Sequence, residues 1–252
     1  VCSYCINNIL NNIINSSLLY YIDYYNMRTI SLFSVFCITF SNTAESLNPV
    51  PYWFNPNIHV LGNTGLGGKL HANVAIIFTR LIDAIAYNNT NIRNNLLETI
   101  PIHYSVCDFG CGVGISTHDG VGSLGIDTSE EMYKVAINIF PRKRFEIGNA
   151  ENYGDSNSFD YVSICFLFHE APSQGREAIL ENSLRICKKG IIIMDISPNY
   201  KPSASMLMGE PFILDYCKNI EKEINSFAIH KNLLLKQTQV YPGRAHKWII
   251  EK

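Results

Sequence analysis

The sequence carries no surplus of positive charge: 20 Lys and Arg stand against 22 Asp and Glu, a formal net charge of −2. Proteins that bind nucleic acid leave a basic footprint, so that class of partner is not expected. Arg142-Lys143-Arg144 is the densest basic run and reads as a solvated turn ahead of a strand. No phosphate loop of the form G-x-x-x-x-G-K-[ST] occurs. Metal sites are also lacking. Cys2 and Cys5 have ligand spacing, but no second Cys/His pair is placed to complete a zinc site, so no metal is expected. Cys107, Cys165, Cys187 and Cys217 sit among apolar neighbours and are expected to pack as small hydrophobes. No apolar run is long enough to span a membrane, and no repeat period is visible.

What is present divides the chain into three parts. Residues 1–26 are rich in Asn, Ile and Tyr, without helical or alternating period. At Met27 a new pattern begins: Arg28, an apolar run from Ile30 to Phe40, then small residues to Ser46. That is the layout of a signal peptide, so residues 1–46 read as a non-core extension with a targeting signal over 27–46. The compartment it leads to is open, and a disordered or loosely helical extension is the alternative. Residues 47–100 form a second part, rich in Pro, Gly and aromatics up to His71. It is too aromatic for a free linker and should pack on something. An apolar stripe at Val74, Phe78, Leu81, Ile82 and Ile85 then predicts a helix, and a second short helix is expected before Pro101.

Residues 101–252 form the main domain. An apolar run through Ile102, Tyr104 and Val106 leads into Asp108-Phe109-Gly110-Cys111-Gly112-Val113-Gly114, which reads as a buried strand ending in a glycine turn. Only a short helix fits over Ile115–Asp119. Strands are expected over Gly122–Ile126, Arg144–Ile147, Phe159–Phe168 and Gly190–Ile196. Helices are expected after Thr128, whose T-x-x-E pattern with Glu131 is a capping box, over Ser173–Cys187, and over Pro211–Ile224. Leu233–Val240 and His246–Glu251 make a final hairpin around Pro242-Gly243. The alternation predicts an α/β fold: a doubly wound, seven-stranded, mostly parallel sheet with one antiparallel strand from the C-terminal hairpin.

In such a sheet a ligand sits beyond the carboxyl ends of the strands, where the winding reverses. The glycine turn marks that place. Asp127, at the end of the second strand, is spaced to accept hydrogen bonds from ribose hydroxyls. A dinucleotide fingerprint would need a third glycine at Ile115 or Thr117, so a NAD-dependent oxidoreductase is not expected. An adenosine-containing cofactor without phosphates fits better.

Residues 100–252 resemble the class I S-adenosylmethionine-dependent methyltransferases, with their Rossmann-like fold. Asp108 to Gly114 matches that family's first motif, Gly125-Ile126-Asp127-Thr128-Ser129 the second, Gly148-Asn149-Ala150-Glu151 the third and Phe159-Asp160-Tyr161-Val162 the fourth. Leu184 to Gly190 is similar to the turn before strand five, short of its Pro and one Gly. The resemblance implies S-adenosylmethionine as cofactor. It implies that Asp108, Gly110, Cys111, Gly112 and Gly114 hold the methionine part, Asp127 the ribose, and Met132, Asn149, Ala150 and Glu151 the adenine, with Thr128 and Phe166 also among the cofactor-binding residues. Asn149 stands where the family has Asp. Phe168-His169-Glu170-Ala171-Pro172 resembles a signature of ubiquinone/menaquinone-type enzymes, which implies a small-molecule or lipid-like methyl acceptor.

Methyl transfer needs a nucleophile held in line with the S–CH₃ bond. His169 is the candidate base, because an unperturbed imidazole titrates near neutrality, and Glu170 stands beside it. A cap on the next helix, or a partner orienting Glu170, is the alternative for His169. Tyr52, Trp53, His59 and His71 are expected either to line the acceptor pocket or to cover the sheet. A protein methyltransferase and a catalytically silent cofactor-binding module are the other functional readings. Oligomeric state is not legible.

Overall fold

The computed structural model describes residues 51–55, 58–59 and 61–252. The targeting signal, the rest of the 1–46 extension, and Cys2 and Cys5 lie outside the described residues.

Seven strands form one sheet: β1 (Val106–Phe109), β2 (Leu124–Asp127), β3 (Phe145–Ile147), β4 (Phe159–Cys165), β5 (Cys187–Ile196), β6 (Leu234–Tyr241) and β7 (Ala245–Glu251). Their order is β3-β2-β1-β4-β5-β7-β6. All neighbouring pairs are parallel except those that β7 makes with β5 and β6. The winding reverses between β1 and β4, so the ends of those strands open the crevice in which open α/β sheets hold their ligands.

The helices are α1 (Gly65–Ala86), α2 (Ile92–Leu97), α3 (Glu130–Ile139), α4 (Ser173–Ile186), α5 (Ala204–Gly209) and α6 (Ile213–His230), with 3₁₀ turns at Tyr52–Phe54 and Phe168–Glu170. Strand β5 shows why the sheet is covered on both faces. Ile191 and Ile193 pack into one apolar cluster with α4 and α6, while Ile192 and Met194 pack into another with Leu96 and Ile100. Successive side chains point to opposite faces of a strand, so an unbroken apolar run requires a helical layer on each side. Cys107, Cys165 and Cys187 are buried among these residues as free thiols, and Cys217 is half-buried.

Several expectations are corrected. No helix follows the glycine turn: residues 111–119 are turns and bends that run on to β2. Strand β1 begins at Val106, and Ile102 is exposed in a turn. Helix α3 is capped by Ser129, whose hydroxyl accepts from the Met132 amide, so Thr128 is not the cap and the box with Glu131 does not form. Cys187 to Gly190 are already strand, not a turn before it. Gly190 is glycine because a Cβ there would lie 2.5 Å from the Ile250 carbonyl oxygen of β7. Helix α1 starts at Gly65, inside the stretch expected to be irregular, because Gly67 and Gly68 press against the backbone of Leu61 and Asn63. Lys143 is half-buried rather than solvated, donating to the Thr117 carbonyl with its ammonium near Asp119.

Candidate functional site

The loop after β1 is shaped by backbone that only glycine adopts readily. Gly110, Gly112 and Gly114 have φ of 65°, 52° and 86°, in the left-handed region that a Cβ disfavours. At Gly112 a Cβ would meet nothing within 4 Å, so that main chain borders open space. Cys111 turns its side chain inward, into a cluster with Ala136 and Phe145, so only its backbone is available to a ligand. Asp108 is fully buried and holds the loop from below. Its Oδ2 accepts from the Ser116 and Thr117 hydroxyls at 3.0 and 2.8 Å, and Oδ1 from Ser163 of β4 at 2.9 Å. It therefore clamps the loop from the protein interior.

Asp127 closes the next strand. One carboxylate oxygen accepts from the Gly112 amide and the other from the Ser129 amide, both at 2.8 Å. Each oxygen keeps a free lone pair, and the residue is partly exposed. Burial raises its pKa to about 6, against the lowering by those two amides. Asn149 Oδ1 accepts from the Glu151 amide at 2.9 Å, and the buried Ala150 presents its carbonyl to Asn182. Met132 is buried against Ala72 of α1 and Val113 of the loop. Thr128 is half-buried beside Asp127. Phe166 has φ of 57°, a strained conformation for an aromatic residue, and its ring lies under the Arg93 guanidinium at 4.9 Å.

The segment before α1 lies over these strand ends. The Tyr52 hydroxyl donates to Glu151 at 2.7 Å, and the Ser129 hydroxyl donates to the Asn63 carbonyl at 3.0 Å. His59 bridges two carboxylates, with Nε2 2.9 Å from Glu170 and Nδ1 2.8 Å from Glu210. Its ring centroid is 4.6 Å from that of His71. Burial would lower the His59 pKa, but the two carboxylates hold it well above the ordinary value. Glu170 answers in kind: burial would raise it, yet His59 holds it at about 2. Trp53 contacts the ring of Tyr52 edge-on at 5.0 Å and is not among the residues gathered at His59.

His169 is buried, and its Nδ1 lies 2.7 Å from Asp195 at the end of β5. Asp195 also accepts from the Phe168 and Ile196 amides, at 2.8 and 2.7 Å. Burial would lower the imidazole pKa, but the Asp195 charge overrides it and raises the pKa to about 9. The near-neutral pKa expected for His169 therefore does not hold: at pH 7 it is an imidazolium. Nor does it cap α4, whose first turn has no side-chain cap. Sequence reasoning missed Asp195 and Glu210. Both lie far along the chain from their partners, and no local motif marks them.

Residues 106–190 match a family model described as a methyltransferase domain. Residues 106–190 therefore carry a methyltransferase domain, in the fold of the class I S-adenosylmethionine-dependent enzymes. Solved structures share the fold of this methyltransferase. A Haloferax volcanii putative methyltransferase, in complex with the Trm112 methyltransferase activator, is 15% identical with a TM-score of 0.54, over 73% of this chain and 96% of that one. A TehB-like enzyme from Corynebacterium glutamicum is 16% identical with a TM-score of 0.53, over 73% and 98%. Magnesium protoporphyrin IX methyltransferase from Synechocystis, with bound cofactor, is 13% identical with a TM-score of 0.52, over 75% and 92%. No curated protein matches the chain in sequence. Among the described residues no helix is long and apolar enough to cross a membrane, and no cluster of His, Cys, Asp or Glu could hold a metal ion.

The cofactor of the methyltransferase is S-adenosylmethionine, which supplies a methyl group on a positively charged sulfur. The residues present fit it: open glycine backbone at Gly112 and the spare lone pairs of Asp127 for hydroxyl donors. An ionised Asp127 is the better acceptor for hydroxyl donors. With a pKa of about 6, it is protonated at low pH, and cofactor affinity should rise as pH climbs through that value and level off above it. Calorimetric titration of S-adenosylmethionine from pH 5 to 8 should show up to about tenfold weakening per unit below the pKa. Asp127→Asn should bind weakly and lose that slope; an unchanged slope would assign it elsewhere.

Proposed function

We propose that this methyltransferase acts on a small or lipid-like molecule rather than on a protein. The observation that carries the reading is the strap ahead of α1 that carries Tyr52, His59 and Asn63. It is tied at Ser129 after β2, at Glu151 after β3 and at Glu170 after β4. A strap over the strand ends admits a small guest and obstructs a folded one. It also excludes water, which suits transfer from a charged sulfur to a nucleophile in a dry site. Leu61, Leu66 and Leu70 are exposed where the strap enters α1, an apolar approach that favours an acceptor with hydrocarbon character.

The chain's own residues divide the work. Asp127 and the glycine backbone orient the cofactor. His59 fixes Glu170 at the mouth of β4, and Asp195 holds His169 with its Nδ1 occupied. Only Nε2 of His169 is then left to face a guest, and it accepts a proton once the imidazolium has lost its own, above pH 9. The test is incubation of the protein with methyl-labelled cofactor and a whole-cell extract, followed by separation by size. Label should appear in the low-mass fraction. Label confined to acid-precipitable protein would overturn the reading.

A further inference from the structure

Two polar atoms in this site have no partner. Glu210 is 8% exposed, and while its Oε1 pairs with His59, its Oε2 is buried and unbonded. Nδ1 of His71, on the ring beside His59, is buried and unbonded as well. A buried carboxylate oxygen without a donor is costly, and such an atom in a native structure calls for a group that supplies the missing bond or for a functional role.

The charge around these atoms defines that ligand. His59 brings one positive charge to two carboxylates, Glu170 and Glu210. His71 is kept neutral, its pKa lowered to about 4 by burial and by the charged His59. His169 and Asp195 cancel each other. Asp127 adds a further carboxylate close enough to Glu170 for the two to repel. Among the described residues no lysine or arginine pairs with Glu170 or Glu210. Apart from the cofactor's sulfonium, which donates no hydrogen bond, this cluster is therefore short of positive charge and short of hydrogen-bond donors. An anionic acceptor would meet repulsion; a protonated amine brings both missing things at once.

We propose that Glu210, His71 and Glu170 form the acceptor subsite and that it takes a cationic amine head group, with Glu210 Oε2 and His71 Nδ1 receiving its N–H donors. This rests on the small-molecule reading above.

The experiment incubates the full chain with methyl-labelled S-adenosylmethionine and a whole-cell extract, and then separates the low-mass fraction from the macromolecules. Labelled products are told from the cofactor by mass and passed over a strong cation exchanger at pH 7. The expected product is retained. Labelled products that all flow through, or bind only an anion exchanger, overturn the amine subsite while leaving the small-molecule reading intact. Label found only in macromolecules defeats both. With the retained product's precursor as substrate, Glu210→Gln should raise KM about tenfold or more, and His71→Gln several-fold by the same loss of one bond. S-adenosylmethionine affinity, measured by calorimetry, should stay unchanged in both variants, which shows that the fold is intact. A KM unmoved in both variants would overturn the assignment.

Discussion

Arg176→Ala is expected to lower the melting temperature by about 10 °C, from a loss of about 3 kcal/mol. Arg176 sits in α4 and is fully buried. Its guanidinium grips Glu223 of α6 with two parallel bonds, Nε to Oε2 at 2.7 Å and Nη2 to Oε1 at 2.8 Å, and reaches Asp215 at 2.6 Å. Nη1 donates to the Ala171 carbonyl at 2.6 Å, and Ala171 ends the 3₁₀ turn that carries His169 and Glu170. Deletion leaves a cavity and a buried carbonyl without its donor. The two carboxylates reach water, since Asp215 and Glu223 side chains are 46% and 21% exposed, which keeps the loss at the lower end for a broken buried pair. Arg176→Lys, a single ammonium in place of a planar fork, should recover only part of the stability. In a thermal melt, an alanine variant within about 2 °C of the native protein would refute the clamp. Turnover should fall more than cofactor affinity does, because the glycine loop and Asp127 belong to other elements.

The parts of this architecture that the sequence shows are those set by nearest neighbours. Alternating strands and helices, the glycine turn and Asp127 at the end of β2 each follow from residues within one element. The final hairpin follows likewise, from Pro242-Gly243 between two strand-like runs. What is not legible depends on partners distant in the chain. Arg176 reaches residues 39 and 47 positions away, and Asp195 reaches His169 across 26. The cap of α3 moved from Thr128 to Ser129 because Asp127 takes the Ser129 amide into its own turn, a competition that two adjacent hydroxyl residues do not reveal. The start of α1 was hidden because glycines suggest irregular chain, whereas Gly67 and Gly68 are there for close approach to Leu61 and Asn63. His169 looked like a neutral base only while Asp195 was out of view.

The missing helix after β1 gives the second large effect. Residues 111–119 lack the repeating backbone bonds of a helix, so side chains must fix the loop that borders the cofactor. Asp108 does most of this, through three hydroxyls that are themselves buried: Ser116, Thr117 and Ser163. Asp108→Ala would leave all three without an acceptor, and hydrogen bonds to a charged group contribute about 1.5 kcal/mol each at the low end, so a loss of about 4.5 kcal/mol is expected. That corresponds to a melting temperature lower by about 12 °C. Because Gly112 and Gly114 are in the same loop, calorimetry should also find S-adenosylmethionine bound at least about tenfold more weakly, a change of about 1.4 kcal/mol. Asp108→Asn is the control. Its oxygen can still accept from Ser116 and Thr117, and the Ser163 hydroxyl can rotate to accept from the new amide, so a loss of only about 1 kcal/mol is expected. Equal melting temperatures for the two variants would refute the hydroxyl clamp. The variants also differ from the native protein in pH response. Burial raises the Asp108 pKa above 3.8, against the lowering by the hydroxyls, so the folded chain holds that proton more tightly than the unfolded chain. Native stability therefore falls as pH rises from 3.8 towards the raised value, and Asp108→Asn, which has no proton to lose, lacks that part of the slope.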